Sequence, residues 1–142
     1  MRLVLDTNIV ISALLWRGMP YQILETVSRS RELRLFASPA LLDELADVLT
    51  RPMAAKRLAL IGKTAAEVLA DYQAVVEVVE PRVVPRVVLR DADDDQVIAA
   101  ALAAQADFIV SGDDDLLCIG SYKTIHIITA VQALLQLQGE GQ

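Results

Sequence analysis

Eight aspartates lie between residues 91 and 115 with no lysine or arginine among them, and they are interleaved with the apolar segments 97–104 and 108–110. A run of like charge normally marks a solvated loop. Here the acids border stretches that only a core can use. Charge stitched into core elements is costly unless a cation neutralises it. The fold must therefore bury the apolar part of this region while gathering its carboxylates at one edge. Residues 1–90 carry 12 basic and 10 acidic side chains, and residues 116–142 one of each, Lys123 and Glu140. The formal net charge of −6 is thus one local feature.

Length sets the frame around that feature. A chain of 142 residues suits one domain, expected over 1–137 with a short flexible tail at 138–142. A hydrophobic content of 54% excludes disorder. No apolar run approaches the roughly 20 residues of a membrane span, and no charged, then apolar, leader opens the chain. A single cysteine, Cys118, fits a reducing compartment, so a cytoplasmic location is expected. A single histidine, His126, leaves no His/Cys set for zinc and no Ser-His-Asp or Cys-His hydrolase unless His126 is the base.

Short apolar runs alternate with helical patterns. Residues 2–5 read as a buried strand ending at Asp6, and Asn8 can cap the helix that follows. Gly18 and Pro20 break that pattern before a second helix through Ile23 and Val27. Residues 33–37 read as a strand. Ser38-Pro39 opens a helix to about Thr50, ended by Arg51-Pro52. Thr64 and Glu67 form a capping box, and the Val/Glu alternation at 75–80 suits a strand. Pro81 and Pro85 mark a connection. A helix over 93–104, a strand over 107–111, a helical turn over 114–117, a strand over 125–128 and a helix to about Leu137, opened by a second capping box of Thr129 and Gln132, complete the chain. This order predicts an α/β domain with a mostly parallel sheet, and a binding crevice outside the carboxyl ends of its strands.

Three acids map to that edge: Asp6 after the first strand, Asp95 opening the helix into Ile98 and Leu102, and Asp113 just past Ser111. Taken singly, each is equally explained by helix capping. Together they would stack negative charge where each helix needs only one cap. On the helix from Pro39, Leu41, Leu42, Leu45, Val48 and Leu49 define the apolar face, Asp43 and Asp47 point away, and Glu44 lies on the flank. Carboxylates without histidine or cysteine suit Mg²⁺ or Mn²⁺. Two such ions can activate water and stabilise the leaving oxygen in phosphodiester hydrolysis.

These residues carry a resemblance. Leu5-Asp6-Thr7-Asn8, Ser38-Pro39 with Glu44 ahead of Arg51-Pro52, Arg90-Asp91-Ala92-Asp93-Asp94-Asp95 running into Ile98-Ala99-Ala100, and Ala106 through Asp113 with Asp115-Leu116-Leu117 resemble, in order and spacing, the PIN-domain family over roughly residues 1–135. The likeness is to its branch of toxin components related to VapC-type toxins. It implies a three-layer fold with helices on both sides of the sheet, and a metal-dependent ribonuclease acting on single-stranded RNA. By the same resemblance Asp6, Glu44, Asp95 and Asp113 hold the metals, Asn8 and Ser111 orient them, and Asp115 is the alternative to Asp113. It also implies a small antitoxin that covers the site.

Arg17, Arg51, Lys56 and Arg57 are candidates for an RNA path, with solvated surface charge as the equal alternative. Trp16 suits either base stacking or packing. Cys118 reads as a small packed hydrophobe and His126 as a structural or edge histidine. The high apolar content also predicts a homodimer. A haloacid-dehalogenase-like phosphatase is disfavoured because Asn8 stands where a second acid is needed, and a calcium loop from Asp91 because Gln96 and Leu102 replace its glycine and glutamate. A non-catalytic metal-binding regulatory protein of the same fold remains the alternative.

Overall fold

The computed structural model describes residues 1–16, 18–87 and 92–140. Its centre is a six-stranded sheet in the order β3-β2-β1-β4-β6-β5. The strands are β1 (Arg2–Leu5), β2 (Arg34–Ala37), β3 (Val76–Val78), β4 (Phe108–Val110), β5 (Ser121–Tyr122) and β6 (Ile125–Ile128). All neighbours pair in parallel except β5 with β6. The short runs are apolar at successive positions because both sheet faces are covered, as parallel sheets require. Leu3, Leu5, Leu35, Ala37 and Val110 point into one core, and Val4, Phe36, Ile109 and Ile127 into the other.

The first core is closed by α1 (Thr7–Leu15), α2 (Gly18–Arg29), α3 (Pro39–Val48), α4 (Pro52–Ile61), α5 (Ala65–Val75) and α8 (Ala130–Glu140). The second is closed mainly by α6 (Ala92–Ala104) and α7 (Asp114–Ile119). This is the expected three-layer α/β arrangement. The chain winds outward from β1 through β2 to β3, then returns through α6 to place β4 on the other side of β1. The strand order therefore reverses between β1 and β4, which is where ligand crevices form in such sheets. At the outer edge, Arg34 donates two hydrogen bonds to Glu77, at 2.7 and 2.6 Å, tying β3 to β2. That pairing holds the Glu77 carboxyl below its ordinary value.

Local expectations differ from the structure in instructive ways. The N-cap of α1 is Asp6, not Asn8, and the Asp6 side chain makes no capping hydrogen bond. Arg51-Pro52 does not simply end a helix. Pro52 starts α4, which stops at Gly62 in the left-handed conformation, φ 69°. A bare amide of proline suits a first helical position, and glycine a left-handed stop. The two capping boxes form as expected at Thr64/Glu67 and Thr129/Gln132. The last helix runs to Glu140, beyond the expected Leu137. Cys118 is exposed and not packed, because the six-residue α7 turns only Leu116 fully inward. Among the described residues no helix is long and apolar enough to cross a membrane.

Candidate metal centre

The last rung between β1 and β4 builds the site. Beyond the Leu5–Val110 pair, the Asp6 amide donates to the Val110 carbonyl at 2.9 Å. Asp6 and Ser111 thus stand side by side at the carboxyl ends of the two central strands. The Ser111 amide is held by the Ile128 carbonyl at 3.0 Å. Its hydroxyl donates to Asp6 Oδ2 at 2.8 Å and accepts from the Asp113 amide at 2.9 Å. One fully buried hydroxyl therefore links two acids that follow different strands. Asp113 caps α7, accepting from the Asp115 amide at 2.8 Å.

The third member comes from the first turn of α6. Carboxylate oxygens of Asp6, Asp94 and Asp113 all lie within 4.8 Å of one another, Asp6 and Asp94 buried and Asp113 half-buried. Asp95, the expected third acid, is not in this group. Its Oδ1 accepts from the Val87 amide at 2.9 Å and fastens the segment leading from β3 to the flank of α6. The physical reason lies in α6 itself. Val97, Ile98, Ala99, Ala100, Ala101 and Ala104 are each no more than 1% exposed, so the helix is buried on nearly every side. Its apolar pattern gives no single face against which to register an acid. Leu102, one of the two residues used to align Asp95, is only partly buried, whereas Ile98 and Ala101 continue the line of Asp94.

Glu44 lies outside the group of three but close in connectivity. Its Oε2 accepts from the hydroxyl of Thr7, the residue after Asp6, at 3.0 Å. Asp43 and Asp47 are exposed and Glu44 half-buried, as the helical-face argument required. Thr7, like Asp94, is a residue beside these acids that sequence reasoning missed. Its burial to 4% exposure and its bond to Glu44 are both tertiary features, which cannot be read from one sequence. Asn8, expected to orient the acids, is exposed on the first turn of α1. Asp115 contributes its backbone to Asp113 and is not a member of the three-acid group.

Arg51 is exposed and pairs with Asp47 at 3.2 Å. Lys56 is exposed on α4, and Arg57 donates from Nε to the Leu15 carbonyl at 2.9 Å, at the far end of α1 from Asp6. Arg17 and Asp91 fall outside the described residues. His126 is exposed on β6, tilted against the Phe108 ring.

Three converging carboxylates, with no nitrogen or sulfur donor among them, form a donor set for hard, oxygen-preferring divalent cations. Capping accounts for Asp113, whereas the Asp6 carboxylate turns to Ser111 and makes no capping hydrogen bond to its own helix.

Comparison with known proteins adds to this geometry. The sequence model of the PIN domain matches residues 2–115, a span holding Asp6, Glu44, Asp94 and Asp113. The crystal structure of VapBC2 from Rickettsia felis, bound to a DNA fragment from their promoter, is similar at a TM-score of 0.63 and 14% identity, over 91% of this chain and 98% of that one. The crystal structure of PAE2754 from Pyrobaculum aerophilum is similar at a TM-score of 0.58 and 17% identity, over 97% of this chain and 89% of that one. At these identities the likeness is one of fold. No curated protein matches the sequence.

Proposed function

We propose that this chain, which belongs to the PIN-domain family, is a metal-dependent endoribonuclease that hydrolyses phosphodiester bonds of single-stranded RNA. What carries the reading is the group of Asp6, Asp94 and Asp113, whose carboxylate oxygens converge within 4.8 Å at the reversal point of the sheet. These three would hold Mg²⁺ or Mn²⁺, two ions per site, with Glu44 beside them through Thr7. The bound ions would supply activation of water and neutralisation of charge on the phosphoryl and leaving oxygens.

The protein's own residues set the frame for that chemistry. Ser111 fixes the Asp6 carboxylate and the Asp113 backbone relative to each other, so neither must reorganise when substrate arrives. Thr7 holds one Glu44 oxygen and thereby aims the side chain of α3 at the same edge. The buried walls from α6 and β4 limit water to the open side of the crevice.

The biological role we assign is that of the toxin in a toxin–antitoxin pair, with a small antitoxin covering the acids. The solved relative from Rickettsia felis, VapBC2, supports this assignment. Self-association is part of the same reading: Val78 and Val83 leave 56% and 73% of their surface exposed along the sheet edge and the segment after it. Light scattering on the purified chain should give a dimer at micromolar concentration, and a monomer would remove that element.

The deciding experiment incubates the purified chain with single-stranded RNA in Mg²⁺, Mn²⁺ or EDTA and maps the product ends. Cleavage confined to the metal samples, leaving 5′-phosphates, is expected. EDTA-resistant cleavage or 2′,3′-cyclic phosphate ends would overturn the proposal, because both mark chemistry that bypasses the acids.

A further inference from the structure

Trp16 is the chain's only tryptophan, and it keeps 45% of its surface exposed at the C-cap of α1. The Arg57 guanidinium lies 5.6 Å from the centre of its ring and is anchored by the Nε bond to the Leu15 carbonyl. An exposed aromatic ring with a guanidinium fixed against it is the arrangement on which single-stranded nucleic acids stack their bases. The surroundings are suited to phosphate. Residues 48–66 carry Arg51, Lys56, Arg57 and Lys63 and no acid, in a chain of net charge −6. Among the described residues neither Lys56 nor Arg57 forms an ion pair, whereas Arg51 and Lys63 do. Lys56 is exposed on the outward side of α4 with Met53 and Leu60, which are 75% and 72% exposed, and Arg57 lies half-buried at the edge of that side, against α1.

Resting on the ribonuclease reading, we propose that Trp16 and Arg57 form a stacking platform for one nucleobase of the RNA strand, with Lys56 holding the adjacent backbone. Asp6 and Trp16 cap opposite ends of α1, which separates platform and acids by about 15 Å at 1.5 Å per residue. A rigid helix thereby fixes how far from the stacked base the strand is cut.

The lone tryptophan makes the test direct. Full-length Asp6→Asn protein in Mg²⁺ is titrated with a labelled single-stranded oligoribonucleotide, reading Trp16 fluorescence and RNA anisotropy together. Wild-type cleavage of the same RNA is measured in parallel. Quenching of Trp16 with the same midpoint as binding is expected. Trp16→Ala should weaken binding about 5- to 150-fold, the range that one aromatic stack carries, while Trp16→Phe retains most of it. Arg57→Ala should weaken binding and lower its salt dependence. RNA that is bound and cut with Trp16 fluorescence unchanged, and equal affinity for Trp16→Ala, would overturn the platform and leave the nuclease standing. RNA neither bound nor cut by wild type would remove both. Equal quenching by poly-glutamate would also overturn the proposal, identifying the surface as a dock for an acidic polypeptide.

Discussion

Ser111 illustrates how much one hydroxyl can determine. It has no exposed surface, accepts the Asp113 amide and donates to Asp6. Ser111→Ala leaves that amide without its partner, at a cost of about 1–3 kcal/mol, and unties the two acids. Cleavage should fall at least tenfold at low Mn²⁺ and recover partly at high Mn²⁺, because the ligands survive and only their alignment is lost. A metal titration of rate checks this, and an unchanged titration would show that the acids hold position without the hydroxyl. Asp94 and Asp95 provide the sharper contrast. Asp94→Asn should lower the rate by orders of magnitude, since its carboxylate is one of the three that converge. Asp95→Asn retains an oxygen able to accept from Val87 and should stay within a few-fold. The reverse ranking would restore Asp95 as the ligand. That Asp6 and Asp113 stand at the same sheet edge was legible in the sequence, because each follows a strand. Which of three consecutive aspartates approaches them was not, because it depends on how α6 rotates inside a core that surrounds it.

At the scale of elements, legibility follows one-sided burial. The helix α3 has an apolar face and a wet one, so its register could be read, and Glu44 falls where the wheel places it. Glu44→Gln should reduce cleavage by an order of magnitude or more, with Asp43→Asn and Asp47→Asn within a few-fold of wild type in the same assay. Equal losses at Asp43 and Glu44 would mean that α3 meets the substrate on a different face. The helix α4 was missed because its proline was read as a stop, although the same residue serves as a first helical position. The two-residue strand β5 carries too little pattern for any periodicity to register. Capping boxes fared best, since both partners lie within one turn and need no tertiary information.

The whole molecule concentrates charge where its topology leaves an opening, and that has a thermodynamic consequence. The reversal of strand order between β1 and β4 gathers Asp6, Asp94 and Asp113 at one edge. Without a cation, like charges at such separations repel, and the folded state bears that cost more than the expanded chain does. A divalent ion that binds only the folded form should raise stability by about 2.7 kcal/mol when present at 100 times its dissociation constant. For a domain of this size that is a rise in melting temperature on the order of 10 °C. Asp94→Asn removes one charge while nearly preserving shape, so it should relieve the repulsion and weaken the binding together. In EDTA it should melt at or above the wild-type temperature, and in Mn²⁺ it should gain only a small part of the wild-type increment. Added monovalent salt should narrow the difference in EDTA, because it screens the charges that remain partly exposed. An aspartate serving only to hold α6 in place predicts the opposite pair of results. If Asp94→Asn melts lower in EDTA and keeps the full Mn²⁺ increment, the convergence of these three acids is a structural device and not a metal centre.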